Sequence, residues 1–237
     1  MKISFIIPSH NEEKYIGQCL ESIFKEVKGS GHDYEIIVVN NASADNTRIE
    51  AEKFSGVKVL DELRKGTNFA RQKGLDNAQG DYLAYLDADT KLPSGWIDYA
   101  EKAFQKDPGM VSLSGPYKYY DIPKLKGKIL DALWQTTAPV SYKIIGYMVL
   151  GGNFIVKKEA LLAAGGFDTN IKFYGDDMDT AKRLSKVGKA VFDMNFYNYS
   201  SCRRFLNQGV ISLSLKYAIN LIWVILFNKP FNKSGTI

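Results

Sequence analysis

Hydrophobic and polar positions alternate between two periods along most of this chain. Lys2 to Pro8 is a short β-rich run, and from Glu12 to Val27 the residues Tyr15, Ile16, Cys19, Leu20, Ile23, Phe24 and Val27 return at helical spacing. That spacing predicts one buried stripe on an amphipathic helix, with Ser9 and Asn11 as candidate caps. Tyr34 to Val39 predicts a second, fully apolar strand, followed by the polar turn Asn40-Asn41-Ala42-Ser43-Ala44-Asp45, whose Asp45 suits the cap of a helix starting near Thr47. Val57 to Leu60 reads as a third strand, Gly66 to Ala78 as a helix, Gly80-Asp81 as a turn, and Asp81 to Leu86 as a fourth strand. Strand and helix alternating so regularly predict an α/β protein, its central sheet mostly parallel, Rossmann-like and covered by helices on both faces.

Beyond Thr90 the pattern changes. Pro93 to Lys106 predicts a helix and Met110 to Ser114 a strand, whereas Tyr117 to Tyr147 is aromatic, Lys-rich and irregular in period. Leu150 to Val156 returns to strand character, Lys157 to Ala164 predicts a short helix closed by Gly165-Gly166, and Asp176 to Val187 another. These changes divide the chain into a main domain over 1–200, with halves at about 1–92 and 93–200, and a basic segment over 201–237.

The fourth strand runs into Asp87-Ala88-Asp89-Thr90. Side chains alternate along an extended strand, so Asp87 and Asp89 are expected on one side, at the sheet edge where open α/β sheets bind ligands. Two such carboxylates form a compact divalent-cation site. A solvated turn accounts for the same residues, and D-x-D alone does not choose between them.

Composition narrows the classes. The chain has 237 residues, 45% of them hydrophobic, which suits one sizeable core. Cys19 and Cys202 have no paired spacing and provide neither a disulfide framework nor a zinc site. The apolar run Ile3 to Ile7 is short and passes directly into Pro8-Ser9-His10-Asn11-Glu12-Glu13, so it reads as a strand rather than a secretion signal, and a cytoplasmic location is expected. Net charge is +5, but Lys182 to Ile237 holds nine Lys/Arg against one acid, Asp193. The basic excess is C-terminal and points to an anionic partner, phosphate or an acidic membrane surface. No nucleic-acid-binding signature accompanies it.

Seven motifs then fall in one order: Ile6-Ile7-Pro8-Ser9-His10-Asn11-Glu12, Val38-Val39-Asn40-Asn41-Ala42-Ser43-Ala44-Asp45, Ala70-Arg71-Gln72-Lys73-Gly74, Gly80-Asp81 into Asp87-Ala88-Asp89-Thr90, Gly151-Gly152-Asn153, Gly165-Gly166-Phe167-Asp168 and Gly175-Asp176-Asp177. Together, from about Lys2 to Lys189, they resemble family 2 of the glycosyltransferases, inverting enzymes of the A-type, nucleotide-diphospho-sugar-binding fold. The resemblance implies a Mn²⁺ or Mg²⁺ ion held by Asp89, with Asp87 as its companion toward the ribose or sugar. It also implies that Pro8, Ser9, Asn11 and Glu12 wrap the nucleoside, with Glu12 at the ribose, and that Arg71 reaches the base or a phosphate. Gly152 would let the backbone approach the donor sugar. Asp177 would be the general base and Asp176, where the family has Glu, its support.

Each role has an alternative in local chemistry. Glu12 suits the first turn of a helix, Arg71 a solvated helix face, Asp176 and Asp177 a helix N-terminus, and the paired glycines simple turns. Asn40 departs from the family's Asp; its amide can still accept a hydrogen bond from a base, so a UDP-sugar is the first expectation, with guanosine and thymidine donors open. A non-catalytic nucleotide-binding scaffold and a nucleotidyltransferase are the rival functions, although Pro8-Ser9-His10-Asn11 lacks the Gly-rich basic loop of the latter.

Gly209 to Phe227 is 19 residues long with eleven Val, Ile, Leu or Phe, and Ser212, Lys216 and Asn220 recur every four positions. One polar stripe on an apolar helix predicts a segment lying on the membrane surface rather than spanning it. Arg203 and Arg204 precede it and are candidates for phosphate contacts. A lipid-linked or cell-envelope glycan acceptor accounts for both features, with the protein peripheral at the inner face of the membrane.

Overall fold

The computed structural model describes residues 1–171 and 175–203. In chain order the elements are β1 (Lys2–Ser9), α1 (Ile16–Val27), β2 (Asp33–Asn41), α2 (Thr47–Glu52), β3 (Val57–Glu62), α3 (Thr67–Asn77), β4 (Tyr82–Leu86) and β5 (Thr90–Lys91). There follow α4 (Trp96–Lys106), β6 (Met110–Ser114), β7 (Tyr117–Tyr119), α5 (Lys124–Ile145), β8 (Asn153–Lys157), α6 (Lys158–Ala163), α7 (Asp176–Leu184), β9 (Lys189–Phe192) and β10 (Asn198–Ser200).

Seven strands form the main sheet in the order β3-β2-β1-β4-β8-β6-β9. β1 pairs in parallel with β2 and β4, β2 with β3, and β6 with β9, while β8 runs antiparallel between β4 and β6. The mostly parallel α/β sheet expected from the sequence is therefore present. A smaller sheet, β5-β10-β7, lies beside its C-terminal edge.

Alternation along β1 decides the two layers. Ile3, Phe5 and Ile7 pack with Ile16, Leu20 and Ile23 of α1 and with Trp96, Ile97 and Ala100 of α4. Ile6, on the opposite face, packs with Ala70 and Leu75 of α3, Leu161 of α6, and Ala181 and Leu184 of α7. Full burial of such side chains contributes about 1.5–3 kcal/mol each, which is what holds the strand ends in fixed positions.

The structure departs from the sequence reading in three places. Helix α1 begins at Ile16 with Tyr15 at its cap and no side-chain cap bond, so Ser9 and Asn11 are not caps. Ser9 donates its hydroxyl proton to the Ile7 carbonyl, and Asn11, at φ 56°, accepts the Ala44 N–H through Oδ1. The irregular stretch contains a 22-residue helix, α5, with Pro139 inside it. Its period is hidden because apolar residues lie on opposite sides: Leu130 and Ala138 are buried, whereas Leu125, Ile129, Val140 and Ile144 are exposed. Lastly, β4 stops at Leu86, and the Asp87 carbonyl accepts the Thr90 N–H at 3.0 Å. Asp87 to Thr90 is thus a turn, and strand alternation does not extend to the two aspartates. Arg204 and the apolar 209–227 stretch lie outside the described residues.

Candidate active site

The sheet order reverses direction between β1 and β4, and the C-terminal ends of these strands open a crevice. Antiparallel β8 closes one side of it. Leu86 pairs with Asn153, so the next residue of β4's turn, Asp87, faces Gly152. The approach is close: a Cβ on Gly152 would lie 2.1 Å from Asp87 Oδ2. A Cβ on Gly151 would lie 1.9 Å from Arg71 Nη2 and 2.3 Å from Asp177 Oδ1. A side chain at either position would push these charged groups out of place, a constraint beyond turn chemistry.

Asn153, together with two residues outside the motifs, holds this glycine turn. Asn153 is fully buried, accepts the Trp96 indole N–H and donates to the carbonyls of Gly115 and Phe196. Asn198 donates to the Gly152 carbonyl, and the Gly152 N–H donates to the Tyr117 hydroxyl at 3.0 Å. Burial raises the Tyr117 phenol well above its ordinary pKa, helped by the Asp87 and Asp177 charges, and so keeps it neutral. Tyr117 and Asn198 come from separate short strands, and nothing in their sequence context marks them.

Arg71 projects from α3 into the crevice instead of lying on a solvated face, and only 4% of the residue is exposed. Its Nη1 donates to Asp176 Oδ2 at 2.8 Å and Asp177 Oδ1 at 2.9 Å. Burial opposes the guanidinium charge, but Asp177, Asp176 and Asp87 outweigh it and hold the pKa above the ordinary value. The Gly151 N–H donates to the other Asp177 oxygen, Oδ2, at 2.9 Å. Asp176 and Asp177 open α7 directly after Gly175, whose φ of 92° is a left-handed turn that suits glycine. Enclosure of the Asp177 carboxyl raises its pKa to about 6; Asp176 and Asp87 add to the rise, and Arg71 and the Gly151 N–H oppose it. A carboxylate with this pKa is a competent proton acceptor near neutral pH.

A second group lies across the crevice. Arg203 Nη2 pairs with Glu12 Oε1 and lies 3.2 Å from Asp89 Oδ2, while its guanidinium sits over the Tyr15 ring at 4.5 Å. Burial raises the Glu12 pKa, with Arg203 opposing and Asp87 and Asp45 adding to the rise. Glu12 Oε2 is buried without a hydrogen-bond partner, so this acid is not a helix cap but an acceptor aimed into the site. At the ends of β2 and β3, Asn40 Nδ2 donates to Asp61 Oδ1 at 2.9 Å, which in turn pairs with Arg48. A carboxylate only accepts, so this bond fixes the amide orientation and leaves Asn40 Oδ1 as a buried, unpartnered acceptor.

The predicted residues thus form two clusters, Arg71, Asp87, Gly152, Asp176 and Asp177 in one, and Glu12, Asp89 and Arg203 in the other. The Ser9 hydroxyl and the Asn11 side-chain oxygen are engaged within the loops, and Pro8 lies in β1 opposite Val39. Among the described residues no three His, Cys, Asp or Glu side chains converge on a point. The Asp89 and Asp87 oxygens are donors of the kind that hard cations such as Mg²⁺ or Mn²⁺ take, one or two carboxylates alongside substrate phosphates.

The family model described as glycosyl transferase family 2 matches residues 4–163, about two thirds of the chain. The chain belongs to glycosyl transferase family 2. Among family members, glycosyltransferase GlyA of Streptococcus pneumoniae is 32% identical over 111 residues, 44% of this chain and 15% of GlyA. The chain spans a third or less of the length of two further curated relatives. A longer match is to a dolichyl N-acetyl-α-D-glucosaminyl phosphate 3-β-D-2,3-diacetamido-2,3-dideoxy-β-D-glucuronosyltransferase of Methanococcus voltae, 23% identical across 97% of this chain and 79% of that protein. Among solved structures, glucosyl-3-phosphoglycerate synthase of Mycobacterium tuberculosis, in complex with Mn²⁺, UDP and phosphoglyceric acid, superposes with a TM-score of 0.64 at 21% identity. That likeness covers 94% of this chain and 77% of the other, and it is one of fold. Asp87, Asp89, Arg71 and the Gly151-Gly152 turn fall inside the family match, while Asp176, Asp177 and Arg203 lie beyond it.

Proposed function

We propose that this family 2 chain is an inverting glycosyltransferase that moves a sugar from a nucleotide-diphospho-sugar to an acceptor hydroxyl. One observation carries the reading: the Asp177 carboxylate is held by Arg71 and the Gly151 N–H beside Asp87 at the sheet's crevice, where its surroundings raise its pKa above the ordinary value. In the reaction the acceptor hydroxyl gives its proton to Asp177 as its oxygen bonds to the anomeric carbon. The bond from that carbon to the β-phosphate oxygen breaks, and the nucleoside diphosphate leaves with the electron pair. A single displacement of this kind inverts the anomeric centre and needs no covalent nucleophile. Asp176 shares Arg71 with Asp177 and so supports the base.

On the donor side, Glu12 Oε2 is offered to a ribose hydroxyl and Asn40 Oδ1 to a base N–H, for which the uracil ring nitrogen is the first choice. Asp89, with Asp87, would hold Mn²⁺ or Mg²⁺, which when bound offsets charge on the departing diphosphate. Arg203, which pairs with Glu12 and Asp89, would meet a phosphate of the donor. The complex of the mycobacterial synthase with Mn²⁺ and UDP supports this choice of donor and metal. The acceptor we infer is a lipid-linked or cell-envelope glycan, met at the inner face of the membrane; the M. voltae relative's name supports a lipid-carried acceptor.

Incubating the protein with UDP-, GDP- and dTDP-sugars and a divalent cation tests the reading. Release of a nucleoside diphosphate from one class, fastest with a UDP-sugar, is expected. Metal-dependent nucleotide binding with no turnover on any donor would favour a non-catalytic binding protein instead. Asp89→Ala is expected to weaken nucleoside-diphosphate binding at least about tenfold in Mn²⁺ and little in EDTA, read by calorimetry. Equal affinities in both conditions would remove Asp89 as the metal ligand.

A further inference from the structure

Helix α5 carries an outer surface that the catalytic reading does not use. Its inner side packs through Leu130, Trp134, Ala138 and Tyr142. On the opposite side Leu125 is 74% exposed, Ile129 52%, Val140 58% and Ile144 74%. At 100° per residue these four fall within about 100° of arc, a stripe made of two pairs, Leu125 with Ile129 and Val140 with Ile144, about 16 Å apart along the helix. Single exposed apolar residues are ordinary on protein surfaces; two pairs of large aliphatic side chains on one side of a helix mark a contact surface.

We propose that α5 is a docking helix that lays this stripe on an anionic lipid bilayer. The charges on α5 select that occupant. Four of its five charged residues are lysines, Lys124, Lys126, Lys128 and Lys143, against one acid, Asp131. Lys126, Lys128 and Lys143 are exposed and lie near both ends of the stripe. Packing this face on a second copy of itself would bring lysines toward lysines, whereas anionic headgroups offset them, each strengthening binding about fivefold near the surface. An apolar face bordered by lysines is the arrangement of a helix lying in the membrane interface.

Chain connectivity gives the docking a consequence, which rests on the glycosyl-transfer reading. α5 starts shortly after Tyr117, whose hydroxyl accepts the Gly152 N–H, and its far end leads through Gly146 to Gly151, whose N–H reaches Asp177. Both ends of the helix are therefore tied by short stretches of chain to residues of the catalytic crevice. A bilayer under α5 brings a lipid-carried acceptor hydroxyl to that side of the site.

The test uses the full chain and sedimentation with vesicles of phosphatidylcholine, with and without about one-third phosphatidylglycerol. The wild type is expected to bind only the anionic vesicles. The variant I129E/V140E/I144E is expected to lose at least about tenfold in vesicle affinity, and K126E/K128E/K143E to lose the preference for anionic lipid. Both sets of side chains are exposed and outside the catalytic clusters, so nucleotide binding by calorimetry should stay unchanged; this also separates failure of the docking from failure of the donor site. Wild-type vesicle affinity in both variants would overturn the proposal, as would no vesicle binding by the wild type. A dimeric wild type made monomeric by I129E/V140E/I144E, with vesicle binding unaltered, would assign the stripe to a second copy and overturn it equally.

Discussion

Asp177→Asn is expected to lower sugar transfer by about 10²–10⁴-fold while leaving donor affinity within about twofold of wild type. The asymmetry follows from the geometry. Asp177 is fixed by Arg71 and the Gly151 N–H, across the crevice from the Glu12 and Asp89 group assigned to the nucleotide. Asparagine keeps the size of the side chain but cannot take a proton. The wild-type pH profile carries the same signature. With the Asp177 pKa raised to about 6, the base is protonated and idle below that pH and ionised above it, so the rate should rise through about pH 6. In the variant that ascending limb should disappear from whatever rate remains. Transfer near the wild-type rate, with the limb intact, would mean that another group accepts the proton.

Gly152→Ala is the second large effect, and its contrast with Gly115→Ala makes it diagnostic. The added methyl at 152 would meet the Asp87 carboxylate, 2.1 Å from Oδ2 and 2.2 Å from Cγ. A carboxylate on a short side chain can swing away at small cost to the fold, but Asp87 then leaves the position from which it faces Arg71 and Asp177. Donor turnover is expected to fall at least about 10²-fold, the scale of misplacing a reacting group by about 1 Å, with a melting temperature within about 2 °C of wild type. At Gly115 the methyl would lie 1.8 Å from the Phe196 carbonyl oxygen, and backbone cannot rotate away. Overpacking of that kind costs about 1–3 kcal/mol, so Gly115→Ala should lower the melting temperature by several degrees. Thermal melts beside turnover assays separate the two. A Gly152→Ala protein with normal turnover would dissociate Asp87 from the site.

Local pattern made the layered sheet legible. β1, β2, β4 and helix α1 carry runs of buried residues, and Ile3, Phe5 and Ile7 against Ile6 already imply two covered faces. Motif order likewise made the acidic residues legible as a set, because seven short stretches keep their spacing whatever lies between them. Helix α5 was not legible: a helix packed on one side and apolar on the other has no single period to find. The cap assignment at Asn11 failed for a related reason, since its partner, Ala44, is set by how two loops meet, while Ser9 ends β1 and turns its hydroxyl back to the Ile7 carbonyl.

The sequence by itself determined the mostly parallel α/β sheet and the family, and it singled out the carboxylates, glycines and arginines proposed to carry chemistry. It did so because hydrophobic period and motif spacing are properties of neighbouring residues. The tertiary structure alone decided how those residues divide. Antiparallel insertion of β8 puts Gly152 on Asp87, and α3 carries Arg71 to Asp176 and Asp177, more than 100 residues away in sequence. The turn after Leu86 ends the strand alternation that would have placed Asp87 and Asp89 together, and Arg203 closes on Asp89 and Glu12. Such pairings depend on sheet register and helix packing, which no local stretch of sequence specifies.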